Sequence, residues 1–186
     1  MGLRCFIAIN LHEPLKKEID ESTAGLKKDD WDVRWVPVQN LHITLKFLGN
    51  TPEDLLQKIE EKLSRASAYC KPFDVKLCSV GVFPDEKRPR VIWIDLLDSD
   101  ELVRLQEGIE NSMVDLGFEK EGRPFSPHLT IGRIRSLKGR DSLLRAIRTL
   151  KDREFGNIRV DRVSLMRSEL KPTGAQYTIM AEFKLG

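Results

Sequence analysis

An excess of one charge is the first thing this sequence does without: 31 lysines and arginines stand against 29 aspartates and glutamates in 186 residues. Bulk positive charge therefore cannot hold the chain to nucleic acid, and any such contact must be local. Cysteine is scarce too. Cys5, Cys70 and Cys78 are an odd number with no Cys-x-x-Cys pair, which suits reduced thiols in a cytoplasm better than a disulfide framework or a zinc site. Long apolar runs are missing: Cys5-Phe6-Ile7-Ala8-Ile9 is too short for a signal-peptide core or a membrane span. The Met-Gly start carries Phe6 where myristoylation needs Ser or Thr. Asn and Gln are few, a composition that suits growth at high temperature. What is left, 40% hydrophobic and 32% charged, reads as a globular, cytoplasmic, unanchored monomer. It is large enough for one domain or for two small lobes sharing a core.

Hydrophobic periodicity alternates short strands with amphipathic helices. Leu3–Asn10 reads as a strand. Glu13–Lys28 reads as a helix with Pro14 in its first turn and Leu15, Ile19 and Leu26 on one side. Strands follow at Val33–Val36 and Leu41–Leu48, and Thr51-Pro52 reads as the start of a helix carrying Leu55, Leu56, Ile59 and Leu63. Strands at Phe73–Val80 and Arg90–Leu97 flank a Gly/Pro-containing loop. Ser99 opens a helix that stops at Gly117. Phe125–Ile134 is a strand, Arg140–Leu150 a helix, and Ile158–Arg167 and Gln176–Leu185 are strands.

The order strand–helix–strand–strand thus occurs twice. Leu41-His42-Ile43-Thr44-Leu45 aligns with Pro127-His128-Leu129-Thr130-Ile131, and the two histidines lie 86 residues apart. The same offset sets Glu53 over Gly139 and the strand at Phe73 over that at Arg159. Residues 1–186 are therefore expected to form a single bilobal α+β catalytic domain with an internal repeat. Each lobe would be a mostly antiparallel sheet with helices on its outer face, the two related by a pseudo-two-fold axis.

Side chains alternate along a strand, so His42, Thr44 and Lys46 are expected on one face and Ile43, Leu45 and Phe47 on the other. His128 and Thr130 share a face in the same way. One histidine on an apolar strand is ordinarily a satisfied structural residue, and threonine is simply a good strand former. The doubling changes that balance, because a structural role gives no reason for His and Thr to share the polar face in both copies. If the lobes face each other, an imidazole and a hydroxyl from each side would converge on one phosphate. With an ordinary pKa of about 6.5, histidine can serve as acid or base near neutral pH. No metal and no cofactor is expected, since no third His, Cys or carboxylate lies at ligand spacing near either motif.

These residues resemble a known family. His42-Ile43-Thr44-Leu45-Lys46-Phe47-Leu48-Gly49 and Ser126-Pro127-His128-Leu129-Thr130-Ile131-Gly132-Arg133 look like the paired signatures of the 2H phosphoesterase superfamily. Within it they are similar to the RNA 2′,3′-cyclic phosphodiesterase group, historically called 2′-5′ RNA ligases. The likeness extends through Arg4–Ile9, Val82-Phe83-Pro84, Pro89–Trp93 and Ser168–Tyr177. It implies a bilobal fold and metal-independent hydrolysis of RNA 2′,3′-cyclic phosphate ends to 2′-phosphomonoesters, with 2′-5′ ligation as the reverse activity. It also implies His42 as proton donor, His128 as proton acceptor, and Thr44 and Thr130 as phosphate-binding residues. That order of acid and base comes from the resemblance alone.

Other residues have two readings each. Arg133 is a candidate contact to phosphate or RNA backbone, although strict alternation turns it away from His128 unless the strand bends at Gly132. Phe83 is a candidate base-stacking residue or a buried loop hydrophobe. Arg90 could contact RNA, but pairing with Asp85 or Glu86 is the simpler expectation. From Arg133 to Arg153 eight basic residues accompany two acidic ones, either an RNA-backbone track or the solvated face of a helix. Trp31, Trp35 and Trp93 read as packing residues, and His12 as a helix-start or surface residue. Rival functions are a phosphodiesterase of small cyclic nucleotides or of 2′-5′ linked oligonucleotides, and a non-catalytic RNA-binding module. The expected partner is RNA ending in a 2′,3′-cyclic phosphate or a small nucleotide, and no membrane.

Overall fold

The protein is described here by a computed structural model covering residues 2–27, 31–172 and 174–186. In chain order the regular elements are β1 (Gly2–Asn10), α1 (Glu13–Thr23), β2 (Val33–Trp35), β3 (His42–Pro52), α2 (Leu56–Ala68), β4 (Phe73–Phe83) and β5 (Val91–Leu97). They continue with α3 (Asp100–Val114), β6 (His128–Ile134), α4 (Arg140–Arg148), β7 (Glu154–Val160), β8 (Arg162–Lys171) and β9 (Gly174–Lys184). Two antiparallel sheets result, in the orders β3-β1-β8-β9 and β2-β6-β5-β4-β7. This is the expected bilobal α+β architecture. α2 packs on β8 and β9 and α3 on β3, whereas α1 covers β7 and α4 covers β4. One buried cluster joins both lobes, with Ile7, Ile43, Ile92, Ile94, Leu129 and Leu165 fully buried within it.

Several boundaries differ from the sequence reading for local reasons. The predicted end of the first helix, Lys28, lies outside the described residues. α1 itself stops at Thr23, whose hydroxyl turns back on the Ile19 carbonyl at 2.7 Å, a bond that competes with helix continuation. Thr51 does not cap the following helix; Pro52 precedes a 3₁₀ turn, Glu53–Leu55, that runs straight into α2. Thr51 and Pro52 end β3, where Thr51 opposes Leu3 and Pro52 opposes Gly2, and Thr51 is fully buried. Pairing with the first strand overrides the local capping preference. β6 begins at His128 and not at Phe125, because Pro127 has no N–H for a ladder. The predicted strand Ile158–Arg167 is two strands: at Asp161 the chain leaves one sheet for the other.

The repeat is also less simple than a constant offset. The segments at Phe73 and Arg159 are not counterparts in separate lobes. They belong to β4 and β7, neighbours in one sheet with Phe73 opposite Val160 and Asp74 opposite Arg159. Each sheet holds strands from both halves of the sequence: β8 and β9 complete the sheet begun by β1 and β3, and β2 lies on the edge of the other. α3 runs to Val114 and the turns that follow it close at Gly117, the expected stop, which has φ +89°. The Phe118 N–H donates to the Met113 carbonyl and the Gly117 N–H to that of Val114, the bond pair of a Schellman termination.

Candidate active site

The two motif strands share one burial sequence. From His42 to Phe47, and again from His128 to Arg133, the residues run half-buried, buried, half-buried, buried, buried, exposed. A bulge in each strand explains this. Ala8 opposes Thr44 and Ile7 opposes Lys46, leaving Leu45 as the extra residue. Trp93 opposes Thr130 and Ile92 opposes Gly132, leaving Ile131 extra. An extra residue reverses the alternation beyond it. Directly opposed residues lie on the same side, so the face bearing His42 and Thr44 continues to Phe47, opposite Phe6. The face bearing His128 and Thr130 continues to Arg133, opposite Val91.

Two expectations change accordingly. Lys46 is not on the histidine face; it turns inward to Glu110 of α3 at 2.5 Å, and Phe47 takes the outward position. Arg133, which strict alternation would have aimed away, stands beside Thr130 and His128. The bend lies at Ile131, one residue before the glycine.

Each imidazole is fixed in the same way. His42 Nδ1 lies 2.7 Å from the Asn40 carbonyl and His128 Nδ1 lies 2.7 Å from that of Ser126. A carbonyl only accepts, so Nδ1 carries the proton in both rings and Nε2 is left to gain or lose one. His42 sits among aromatic rings, with centroids of Phe6 at 5.0 Å and Tyr177 at 5.2 Å, the latter edge-on. Phe83 stands edge-on to His128 at 5.1 Å and lies 4.9 Å from Trp93. Phe83 therefore packs against the second histidine, not from a loop as expected but as the half-buried last residue of β4, opposite Val91. Among the described residues neither threonine hydroxyl of the motifs has a hydrogen-bond partner, which leaves both free to donate to a bound oxyanion.

β3 and β6 lie against one another where the sheets meet. Arg133 of β6 is near enough to act electrostatically on His42 of β3. Burial, assisted by the charges of Arg133 and Lys16, holds the His42 pKa below its usual 6.5, while the bond to Asn40 opposes the shift. Each of these cations disfavours the imidazolium. Arg133→Gln is therefore expected to raise the His42 pKa. An NMR titration of the His42 ring should move to higher pH in the variant, and an unmoved or lowered midpoint would refute the coupling.

The remaining candidates are sorted by their contacts. Each tryptophan lies against a glycine: a methyl on Gly81 would come within 2.4 Å of Trp93, one on Gly139 within 2.8 Å of Trp31, and one on Gly132 within 3.0 Å of Trp35. These are packing residues. Arg90 pairs with neither Asp85 nor Glu86. Asp85 accepts from the Lys87 and Arg88 N–H groups and Glu86 binds Arg148, so both carboxylates are engaged elsewhere. In the basic stretch Arg140, Arg148 and Arg153 hold Asp141, Glu86 and Glu18, which favours the solvated-face reading. His12 is exposed at the start of α1. The sequence reading missed Phe6 and Tyr177 as neighbours of His42, and Asn10 and Asp95 as the residues opposite His42 and His128. Among the described residues no group of three or more His, Cys, Asp or Glu is gathered to hold a metal ion, and no helix is long and apolar enough to cross a membrane.

Residues 11–172 match the model of the 2′-5′ RNA ligase superfamily. The RNA 2′,3′-cyclic phosphodiesterase of Methanothermobacter thermautotrophicus is 37% identical over 185 residues, 100% of both chains. That of Aquifex aeolicus is 37% identical over 178 residues, 94% of this chain and 89% of its own. Among solved structures, a Thermus thermophilus protein superposes with a TM-score of 0.83 at 30% identity, covering 98% of each chain. E. coli LigT does so at 0.81 and 22% identity, over 100% of this chain and 99% of its own. The doubled His-x-Thr motif, the two-sheet fold and these likenesses place one conclusion beyond the sequence alone: the chain belongs to the 2′-5′ RNA ligase superfamily.

Proposed function

We propose that this protein is a hydrolase that opens 2′,3′-cyclic phosphates at RNA ends to 2′-phosphomonoesters, using His42 and His128 as an acid–base pair. Relatives matched over most of their length are named RNA 2′,3′-cyclic phosphodiesterase. The observation that carries the reading is the matched setting of the two imidazoles. Each is held through Nδ1 by a carbonyl two residues back and stands beside an unbonded threonine hydroxyl, on strands that touch.

In the step itself, His128 Nε2 takes a proton from water as the water oxygen attacks phosphorus. The bond from phosphorus to the 3′ oxygen breaks, and His42 Nε2–H gives its proton to that oxygen. The 2′-phosphate and a 3′-hydroxyl result. Thr44 and Thr130 donate to the non-bridging oxygens, whose negative charge grows as the fifth bond forms. For 2′-5′ ligation a 5′-hydroxyl takes the place of water, with the same proton transfers. The test is incubation of the protein, with EDTA present, with RNA ending in a 2′,3′-cyclic phosphate. Accumulation of the 2′-phosphomonoester is expected. Formation of the 3′-monoester would reverse the leaving oxygen, and no product at all would sink the reading.

A further inference from the structure

β3 and β9 are the two outer strands of one sheet, with β1 and β8 between them. In a flat sheet they would lie about 14 Å apart, three strand spacings. Two contacts nevertheless join them. In the 3₁₀ turn Val38–Asn40 that leads into β3, the Asn40 side chain donates through Nδ2 to the Ala175 carbonyl of β9 at 2.9 Å. Tyr177, two residues further along β9, stands edge-on to the His42 ring with centroids 5.2 Å apart. The β8–β9 hairpin therefore curls over the face that carries His42. A register break between Leu165 and Met166 is where such a strand bends. The tip of the hairpin reaches the other lobe as well: a methyl on Gly174 would come within 2.9 Å of Nη2 of Arg34 in β2.

Asn40 is engaged at every polar end but one. His42 donates through Nδ1–H to its carbonyl at 2.7 Å, its own N–H closes the turn on the Pro37 carbonyl at 2.8 Å, and its amide is held by β9. Beside it, Lys16 of α1 donates to the Gln39 carbonyl at 3.4 Å. A ring held by a backbone carbonyl is only as steady as the peptide unit that carries the carbonyl. The second histidine has the same bond without the same support. The Ser126 carbonyl holds His128, but among the described residues the Ser126 side chain makes no hydrogen bond, and residues 118–127 form neither helix nor strand. For His42 the support has a chemical use. With Nδ1–H held, the ring left after Nε2 gives up its proton is the Nδ1–H tautomer, and Nε2 stays aimed at the group it served.

We propose that Asn40 is a positioning residue for His42: its side chain, anchored on the Ala175 carbonyl, fixes the peptide unit whose carbonyl sets the aim and the tautomer of that ring. The late β8–β9 hairpin thereby reaches a group in the first motif. The part the ring plays as an acid rests on the reading above; the brace does not. Lys16 faces His42 from α1, Arg133 from β6 and Tyr177 from β9, while β1 offers the neutral Phe6 and Asn10. Against burial and the two cations, the bond to the Asn40 carbonyl favours the imidazolium, so loosening that bond lowers the pH at which the ring titrates.

The experiment compares the parent with Asn40→Ala by NMR of the imidazole nitrogens and by steady-state rates on adenosine 2′,3′-cyclic phosphate. In the variant the neutral His42 ring should no longer be held in the Nδ1–H form, and its titration midpoint should move to lower pH, the direction opposite to that expected for Arg133→Gln. The His128 ring should keep its form and its midpoint. kcat should fall about tenfold to a hundredfold, the scale of a small misplacement of a reacting group, with KM within about twofold of the parent. Asn40→Gln, which keeps a donor on a longer arm, should fall between on every reading, and it carries the test should the alanine variant not fold. An unmoved His42 ring would overturn the proposal. So would equal changes in both rings, the mark of a general loosening, or a loss taken in KM alone. The ring measurements need no turnover: a His42 tautomer and midpoint that shift alone support the brace even if the parent hydrolyses nothing, a failure that would count against the function reading instead.

Discussion

Replacing either His42 or His128 by alanine is expected to lower kcat on a 2′,3′-cyclic phosphate by ~10²–10⁴, the usual contribution of a positioned acid or base. Replacing both should cost little more than either alone, because the proton given by one and the proton taken by the other belong to a single displacement. The settings of the rings sharpen the expectation. Each Nδ1 is occupied by a carbonyl, so neither ring can exchange roles through its other nitrogen, and an asparagine that copies the Nδ1 donor should rescue nothing. Thr44→Ala and Thr130→Ala remove a donor, not a proton carrier, and should be milder. Losses that multiply in the double variant would mean two independent contributions and would break the acid–base pairing. Steady-state rates of the four proteins on one substrate decide it.

Glu110→Ala is expected to destabilise the protein by about 3–5 kcal/mol, the cost of leaving a buried charge without its counterion. Lys46 and Glu110 are only 5% and 7% exposed at 2.5 Å, and the pair is the centre of a small network. Lys46 also donates to the Glu119 carbonyl at 2.9 Å, and Glu110 accepts from the Glu121 N–H at 2.9 Å and the Gln106 amide at 3.2 Å. It therefore ties the bulge of β3, α3 and the segment approaching β6 together. For a chain of this size the change should lower Tm by on the order of 10 °C. The double change Lys46→Met with Glu110→Met removes both charges and should recover only part of the loss, since the Glu121 N–H then lacks its acceptor and the Glu119 carbonyl its donor. Denaturant unfolding of the three proteins measures this. A single variant within about 1 kcal/mol of the parent, the scale of an exposed ion pair, would show that the pair is far better solvated than its burial indicates.

The same residue shows where the sequence ceased to be legible. The face that His42 shares with Thr44, and His128 with Thr130, could be read from alternation alone, because no irregularity intervenes between them. Beyond Thr44 and Thr130 the reading failed at once. A bulge depends on how the partner strand is spaced, and nothing in Leu45 or Ile131 announces that β1 or β5 will skip it. Lys46 was therefore expected on the histidine face and Phe47 on the opposite one, when Lys46 is buried and Phe47 exposed on the histidine face. The architecture was easier: two sheets with helices outside follow from hydrophobic period. Which strands joined which sheet did not, since local sequence says nothing about the exchange that moves β8 and β9 across.

That exchange has a consequence for how the molecule comes into being. The first strand is held between β3 and β8, and Tyr177 of β9, near the end of the chain, supplies one wall around His42. A ribosome that has released the first motif has therefore not yet made its surroundings. The site cannot be completed by halves during synthesis, and a chain cut short before its last hairpin should be left with the His42 ring against Phe6 but open where Tyr177 would stand.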